Sequence, residues 1–317
     1  VERPRLALVT YSGLRSSETD DAPLVVALTA RGCAVEHPVW DDPAVDWGRY
    51  AGVLIRTTWD YQDKREQFVR WAVEVEAVSR LFNPAALVAW NTHKSYLREL
   101  AERGVALAPS VWFDAGEQVE LGAVVAERGI RRGFLKPLVG ASASDTLRFH
   151  CDRPGELAAA QAHLDEVVLK RGEGMVLQPY LERVEREGEL SAIYFDGEFS
   201  HAVIKIPVSG DYRVQDDFGA YDGPCELDAE ARAVAEETLA ATEAVAARME
   251  PRPAFPLLYA RVDLLRDQGG GWVLNELELV EASLFFRHAP EAAAGRLADA
   301  LLGRLGRVGR PATTSGA

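Results

Sequence analysis

Tyr259-Ala260-Arg261-Val262-Asp263-Leu264-Leu265 and Trp272-Val273-Leu274-Asn275-Glu276-Leu277-Glu278-Leu279 decide how this chain is read. They are two apolar, strand-like runs parted by a short turn that holds Gly269, Gly270 and Gly271. Side chains alternate across a strand, so Arg261 and Asp263 share one face, and Glu276 and Glu278 share one face. Paired as a hairpin, the runs bring three carboxylates and a guanidinium to one spot. Crowded carboxylates repel, and their natural partner is a hard cation such as Mg²⁺, which takes oxygen ligands and leaves places for phosphate oxygens. The arginine is a poor neighbour for a metal and a good one for a phosphoryl group in transfer. Alternation alone fits a hairpin with a solvated polar face equally well, so the rest of the chain has to decide.

The chain has 317 residues, 48% hydrophobic and 26% charged. That is ordinary globular composition, with length for about two domains. Its net charge of −14 argues against nucleic acid as a partner, since phosphate backbones need basic stripes. No run approaches the roughly 18 apolar residues of a membrane span, and no basic start leads into an apolar stretch, so neither membrane insertion nor a signal peptide is expected. Cys33, Cys151 and Cys225 are odd in number and widely spaced. They read as free thiols in a reducing compartment, which points to the cytoplasm. Oligomeric state is left open, a homo-oligomer included.

Strands over 6–10, 35–40 and 52–57 alternate with helical stretches over 23–31 and 63–78, the second with Phe68, Trp71, Val75 and Val78 near helical spacing. This pattern implies a parallel α/β sheet, which binds ligands beyond the carboxyl ends of its strands. Arg56 and Thr57, followed by Thr58-Trp59-Asp60-Tyr61, stand at such an end and form a candidate substrate shelf. A helix cap at Asp60 or Asp63 beside a packed Trp59 is the plainer alternative. A second unit begins near Asn91, with a helix expected over 92–103 that carries Lys94 in its first turn. A strand over 107–113, a helix over 117–128 and a strand over 133–138 carrying Lys136 follow. The small-residue run 139–145, which includes Ser142, can bring backbone N–H groups close to an anion, although a surface turn explains it equally. The apolar strand over 175–181 ends in Gln178-Pro179-Tyr180-Leu181. Strands over 189–195 and 198–208 flank the turn signal Asp196-Gly197. The second contains Lys205, where a lysine needs solvent or an anion. Residues 209–226 read as a mobile loop, 228–249 as a helix capped by Asp228, and 306–317 as a frayed tail.

The order of these features resembles the ATP-grasp superfamily: a lysine, a lysine before a small-residue loop, an apolar hinge strand, an Arg-x-Asp strand, then Glu-x-Glu. The resemblance covers roughly residues 91–300. Arg56-Thr57-Thr58-Trp59-Asp60-Tyr61, Gly210-Asp211-Tyr212-Arg213-Val214-Gln215 and Ser283-Leu284-Phe285-Phe286 are similar to the group related to prokaryotic glutathione synthetase and the O-ureidoserine cyclo-ligase of cycloserine biosynthesis. It implies an N-terminal parallel α/β domain (1–90) before an ATP-grasp domain of two α+β subdomains (91–305, the smaller about 110–182). It also implies an ADP-forming, carbon–nitrogen-bond-forming ligase that works through an acylphosphate on a small amino-acid-like substrate.

By that resemblance Lys94, Lys136 and Lys205 hold the ATP phosphates, with Ser142 in the loop. Gln178, Tyr180 and Leu181 form the adenine hinge, and Glu189 takes the ribose hydroxyls. Asp263, Glu276 and Glu278 bind Mg²⁺, or Mn²⁺ in its place, and Arg261 steadies the phosphoryl group. Arg213 reaches the substrate from a lid at 209–226, and Arg56, Thr57 and Ser283 line the substrate side. Many relatives carry Glu-x-Asn where this chain has Glu276-Leu277-Glu278. A non-catalytic nucleotide-binding sensor on the same fold is the competing reading, and a phosphoryl transfer that stops at the phosphorylated product is a third.

Overall fold

A computed structural model describes residues 3–14, 20–140, 144–208, 211, 213–214, 219–250, 253 and 256–306. In chain order, β1 (Arg5–Thr10), α1 (Ala22–Ala30), β2 (Ala34–Glu36), β3 (Gly52–Thr57), α2 (Arg65–Val78) and β4 (Leu81–Phe82) build a parallel sheet of order β2-β1-β3-β4. The period of two along β1 sends Leu6 and Leu8 to one face and Ala7 and Val9 to the other. The first face shares its core with Leu24 and Leu28 of α1. The second packs on Phe68, Trp71 and Val75 of α2, with Trp40 edge-on to Phe68. Val78 continues the helical spacing but is exposed, because the buried stripe of α2 ends at Val75.

Helices α3 (Ala85–Asn91) and α4 (Tyr96–Ala101) lead to an antiparallel sheet of order β5-β8-β6-β7. Its members are β5 (Val111–Phe113), β6 (Arg132–Pro137), β7 (Leu147–His150) and β8 (Met175–Pro179), backed by α5 (Leu121–Glu127) and α6 (Pro154–Asp165). The short helix α7 (Val184–Glu187) precedes a second antiparallel sheet of order β11-β10-β9-β12-β13. That sheet comprises β9 (Glu189–Phe195), β10 (Glu198–Ile206), β11 (Tyr221–Cys225), β12 (Tyr259–Arg266) and β13 (Trp272–Glu278). Helix α8 (Ala229–Ala246) lies between β11 and β12 in sequence, and Asp228 caps it by accepting from the Ala231 amide. Helix α9 (Ala293–Gly306) returns to α1 and adds Leu297 and Leu301 to the first core. The β9–β10 turn has Asp196 and Gly197 at φ 52° and 83°, the left-handed pair that a two-residue hairpin requires.

Three expectations change. The helix expected over 92–103 is shorter, Tyr96–Ala101, and a separate α3 ends before it at Asn91: the Thr92 hydroxyl turns back to the Val88 carbonyl at 2.7 Å, and the Lys94 amide donates to Leu138 O at 2.6 Å rather than within a helix. The strand over 107–113 forms a ladder only from Val111, since Pro109 has no N–H to give; Leu107 makes an isolated bridge to Leu274. The loop over 209–226 contains β11, an edge strand that tolerates Pro224 because one side of it is unpaired. Of the rest of that loop, residues 209, 210, 212 and 215–218 lie outside the described residues, as do Ser142 and residues 307–317 of the tail. Strand β7 and helix α6 have no counterpart in the sequence reading.

Candidate functional site

Strands β12 and β13 pair with Arg261 opposite Glu278 and Asp263 opposite Glu276. The register then shifts, so that Leu264 faces Leu274 and Asn275 is the extra residue of a β-bulge. The bulge exchanges faces along β13. Trp272, Leu274 and Leu277 all enter one hydrophobic core, while Val273, Asn275, Glu276 and Glu278 line a cavity of about 560 Å³. A volume of that size suits a ligand of cofactor dimensions. No sequence pattern announces the bulge, and strict alternation would have turned Asn275 away.

The carboxylates of Asp263, Glu276 and Glu278 offer oxygens that all lie within 4.8 Å of one another. These are hard donors without a sulfur or nitrogen among them, and they fit a Mg²⁺-type ion. Arg261 is held against them: its guanidinium bonds Asp263 (2.8 Å) and Glu278, and it donates to Ser283 O at 3.2 Å. Burial alone would raise the Asp263 carboxyl, but Arg261 and Lys205 outweigh it and hold the group below its usual range. Burial pushes the Glu278 carboxyl up to about 8, because Arg261 offsets it only partly and Asp263, Glu281 and Glu276 add to it. Without a cation this cluster therefore favours one carboxyl staying protonated near neutral pH.

The lysines converge on the same cavity from three directions. Lys94, in the break between α3 and α4, reaches Gly140 O at 2.8 Å and Glu276 at 2.9 Å. With Lys136 it outweighs burial and holds the Glu276 carboxyl low. Lys136, on β6, is 7% exposed and donates to Asn275 Oδ1 at 2.7 Å. Burial pulls its ammonium below the usual range, and Lys94 adds to that pull against Glu276 and Glu189. Lys205, on β10, is ion-paired with Glu189 and lies 3.7 Å from Asp263. Burial lowers it, yet Asp263 and Glu189 prevail and its pKa is raised. Asn275 also donates to Glu189, so one amide links Lys136 on the small sheet to Glu189 and Lys205 on the large one. Glu189 thus sits within the cation cluster.

Phe134, Leu181, Val184, Val214, Leu265 and Val273 line an apolar slot of the cavity and cluster with one another through Leu265. Gln178, which donates to Ser110 Oγ at 2.9 Å, and Tyr180, whose hydroxyl donates to Glu185 at 2.8 Å, border it. Arg56, Thr57, Ser283 and Arg213 also line the cavity, Arg213 next in sequence to Val214 of the slot. Arg56 is less available than a shelf implies. It is buried, its Nε and Nη2 grip Asp21 at 2.9 Å each, and Nη2 also donates to Ala282 O. Its visible work is to tie β3, the start of α1 and the loop after β13 together. Thr57 donates to Thr10 Oγ1 at 2.9 Å, and Arg213 is paired with Asp211 at 2.7 Å.

Asp60 accepts from Trp40 Nε1 at 2.8 Å rather than capping the turn at Tyr61–Lys64, and Trp59 lies on the cavity wall against Tyr11. The sequence reading passed over Asn275, Glu281 and Phe285. Phe285 has φ 48°, costly for a bulky residue, and its ring lies 5.9 Å from Lys205 and 5.6 Å from the Arg261 guanidinium.

Residues 6–83 match a family model described as the N-terminal domain of D-cycloserine synthetase DcsG. The cycloserine biosynthesis protein DcsG of Streptomyces lavendulae is 33% identical over 305 residues, 95% of this chain and 98% of that protein. The crystal structure of D-cycloserine synthetase DcsG superposes with a TM-score of 0.83 at 32% identity, covering 95% of this chain and 99% of that one. A D-alanine–D-alanine ligase from Bacillus anthracis, at 15% identity and a TM-score of 0.63 over 96% of this chain and 98% of its own, shares the fold. Among the described residues no helix is long and apolar enough to cross a membrane.

Proposed function

Because the chain belongs to the D-cycloserine synthetase family of ATP-grasp ligases, and is as such an ATP-dependent carboxylate–amine ligase, we propose that it activates the carboxylate of a small amino-acid-like substrate as an acylphosphate and closes a ring within that molecule. The observation that carries this reading is the facing of Arg261 with Glu278 and of Asp263 with Glu276, with Lys94, Lys136 and Lys205 around one cavity. Asp263, Glu276 and Glu278 would hold Mg²⁺, with Mn²⁺ an acceptable substitute, and the ion would supply charge neutralisation at the phosphates.

The chain's own residues do the rest. The three lysines neutralise the triphosphate, the apolar slot takes the adenine, and Arg261 stands where charge gathers on the moving phosphoryl group. An oxygen of the substrate carboxylate bonds to the γ-phosphorus as the bond to the bridging oxygen breaks and ADP leaves. A nitrogen of the same molecule then bonds to the acyl carbon, loses its proton, and phosphate departs. Acylphosphates hydrolyse readily, so the depth of the cavity matters as much as its charges.

The test is ADP release with Mg²⁺, ATP and a panel of amino acids that includes O-ureidoserine, with the mass of each product measured. A product lighter than the substrate, with no second amine incorporated, is the expected result. ADP release with a two-component product would replace ring closure by ordinary ligation. A phosphorylated end product would make the chain a kinase, and nucleotide binding without ADP release from any compound would favour the sensor reading. Full turnover after exhaustive chelation would remove the metal assignment.

A further inference from the structure

Seven carboxylates line the cavity, and six have a cation. Asp20 lies 3.5 Å from Arg287, Asp21 is gripped by Arg56 at 2.9 Å, Glu276 meets Lys94 at 2.9 Å, and Glu189, Asp263 and Glu278 pair with Lys205 and Arg261. Glu281 is the seventh. It is only 9% exposed, it lines the cavity, and among the described residues no other residue forms an ion pair or hydrogen bond with its carboxylate. It is not one of the three carboxylates whose oxygens gather within 4.8 Å of one another, and its burial, offset only in part by its own backbone N–H and by the fields of Arg261 and Lys94, raises its carboxyl, so a cation held by that trio would not pair with it. A buried carboxylate without a partner is costly. A fold that keeps one facing a cavity has left room for a cation that arrives with the ligand.

The surroundings describe that cation. Glu281 sits on the loop that carries the chain from β13 towards the N-terminal sheet, two residues before Ser283, whose carbonyl accepts from Arg261. The same cavity is lined by the rings of Tyr11, Trp59 and Tyr61, the first two with centroids 6.3 Å apart. Aromatic faces beside a carboxylate suit an ammonium group, which takes hydrogen bonds from the anion and quadrupole attraction from the rings. Burial pushes the Tyr61 phenol up, and Glu281 is the foremost of the charges that add to this, which places its field on that wall.

We infer that Glu281 is the counter-ion for the ammonium group of the amino-acid substrate, held beside the Trp59 and Tyr61 rings while the neighbouring carboxyl lies towards Ser283 and Arg261. The inference rests on the reading that this cavity activates an amino-acid carboxylate. It adds the residue that selects a free amine over a blocked one.

The test uses the full chain, with O-ureidoserine and its N-acetyl derivative as probes. Binding is read from the shift in melting temperature with Mg²⁺ and ATP present, and turnover from ADP release. The wild type should respond to the free amine and not to the acetylated compound. E281Q should raise the KM for O-ureidoserine by about tenfold to a hundredfold, the usual size of a charge-assisted hydrogen bond, with the KM for ATP unchanged. E281D should recover part of the loss. Without ligand, E281Q should melt no lower than the wild type, because it removes a buried charge with no partner; a purely structural glutamate would behave the opposite way.

An unchanged KM for O-ureidoserine in folded E281Q, a changed Mg²⁺ dependence in its place, or a wild type that binds both probes alike would each overturn the inference. If no compound releases ADP, ligase function fails on its own terms. The free-amine-specific melting shift, and its loss in E281Q, still decides Glu281.

Discussion

Lys136→Met removes a charge and keeps most of the side chain's volume, and the structure says what that should do with and without nucleotide. In the free protein Lys136 is 7% exposed, and its one hydrogen bond among the described residues goes to Asn275 Oδ1 at 2.7 Å. Burial, with Lys94 adding to it, pulls the ammonium's pKa down, so the charged form is disfavoured where it stands. Deleting the charge relieves that penalty and forfeits one charge-assisted hydrogen bond worth about 1.5–3 kcal/mol. The two effects oppose, and the variant should melt within about 3 °C of the wild type. ATP changes the balance, because the ammonium then meets phosphate oxygens in a cavity that screens them poorly. A charge-assisted bond of this kind contributes about 1.5–3 kcal/mol, so the Kd for ATP should rise by roughly 10- to 150-fold. Calorimetric titration of Mg–ATP into the folded variant measures this directly. An unchanged Kd would show that Lys136 does not touch the nucleotide. A collapse in melting temperature without ligand would show that the lysine serves the fold.

Glu276→Gln should bind ATP more weakly and lose on the order of 10²-fold in turnover, and near-normal kcat at saturating Mg²⁺ and substrate would return the hairpin to a solvated face. Asn275→Ala should destabilise the protein by about 1–3 kcal/mol, because it strips a partner from Lys136 and from Glu189 at once. In a double-mutant cycle with Lys136→Met the two losses should not add, and strict additivity would break the proposed link. His201, whose Nε2 donates to Leu284 O at 2.9 Å, is pushed by burial down to about 4. The unfolded chain, with a pKa near ~6.5, therefore binds more protons between those values, so this contribution is complete above pH ~6.5 and fades as pH falls towards 4. It amounts to on the order of 3 kcal/mol, and His201→Gln should flatten the melting-temperature profile between pH 7 and 4. Parallel profiles would dismiss it.

What the sequence made legible was periodic or local. Strand β9 and its hairpin partner could be read from the two-residue turn signal Asp196-Gly197, and the facing of Arg261 and Asp263 with Glu278 and Glu276 followed from pairing the two runs in register. What was hidden depends on partners distant in the chain. Lys94 leaves helical geometry because its amide finds Leu138 O, 44 positions away by numbering, and no local propensity reports that. Asn275 enters the site through a one-residue bulge. That Arg56 is also held by Asp21, from the loop before α1, could not be read from the sequence. Glu281 escaped attention because its significance is the lack of a partner, which only the assembled cavity can reveal.

The division of the hydrophobic interior has a mechanical consequence. Leu6 and Leu54 of the N-terminal sheet share one core with Ile193 and Phe195 of the large sheet and with α9. The Tyr259 hydroxyl fastens the end of β3 to the large sheet through Ile55 O, and Asn83 donates to the carbonyls of Tyr259 and Leu279. The small sheet, by contrast, closes its main core on itself, from Phe113 to Leu177. It meets the rest through Trp112, minor apolar clusters around Leu181 and Val214, the Lys136–Asn275 contact and the bonds of Lys94 to Leu138 O and Gly140 O. The first two sheets therefore form an anvil, and the third is the hammer on a short handle. The grip of the handle is made largely of residues that also line the apolar slot, so whatever fills that slot stiffens the joint on which the position of Lys136 depends.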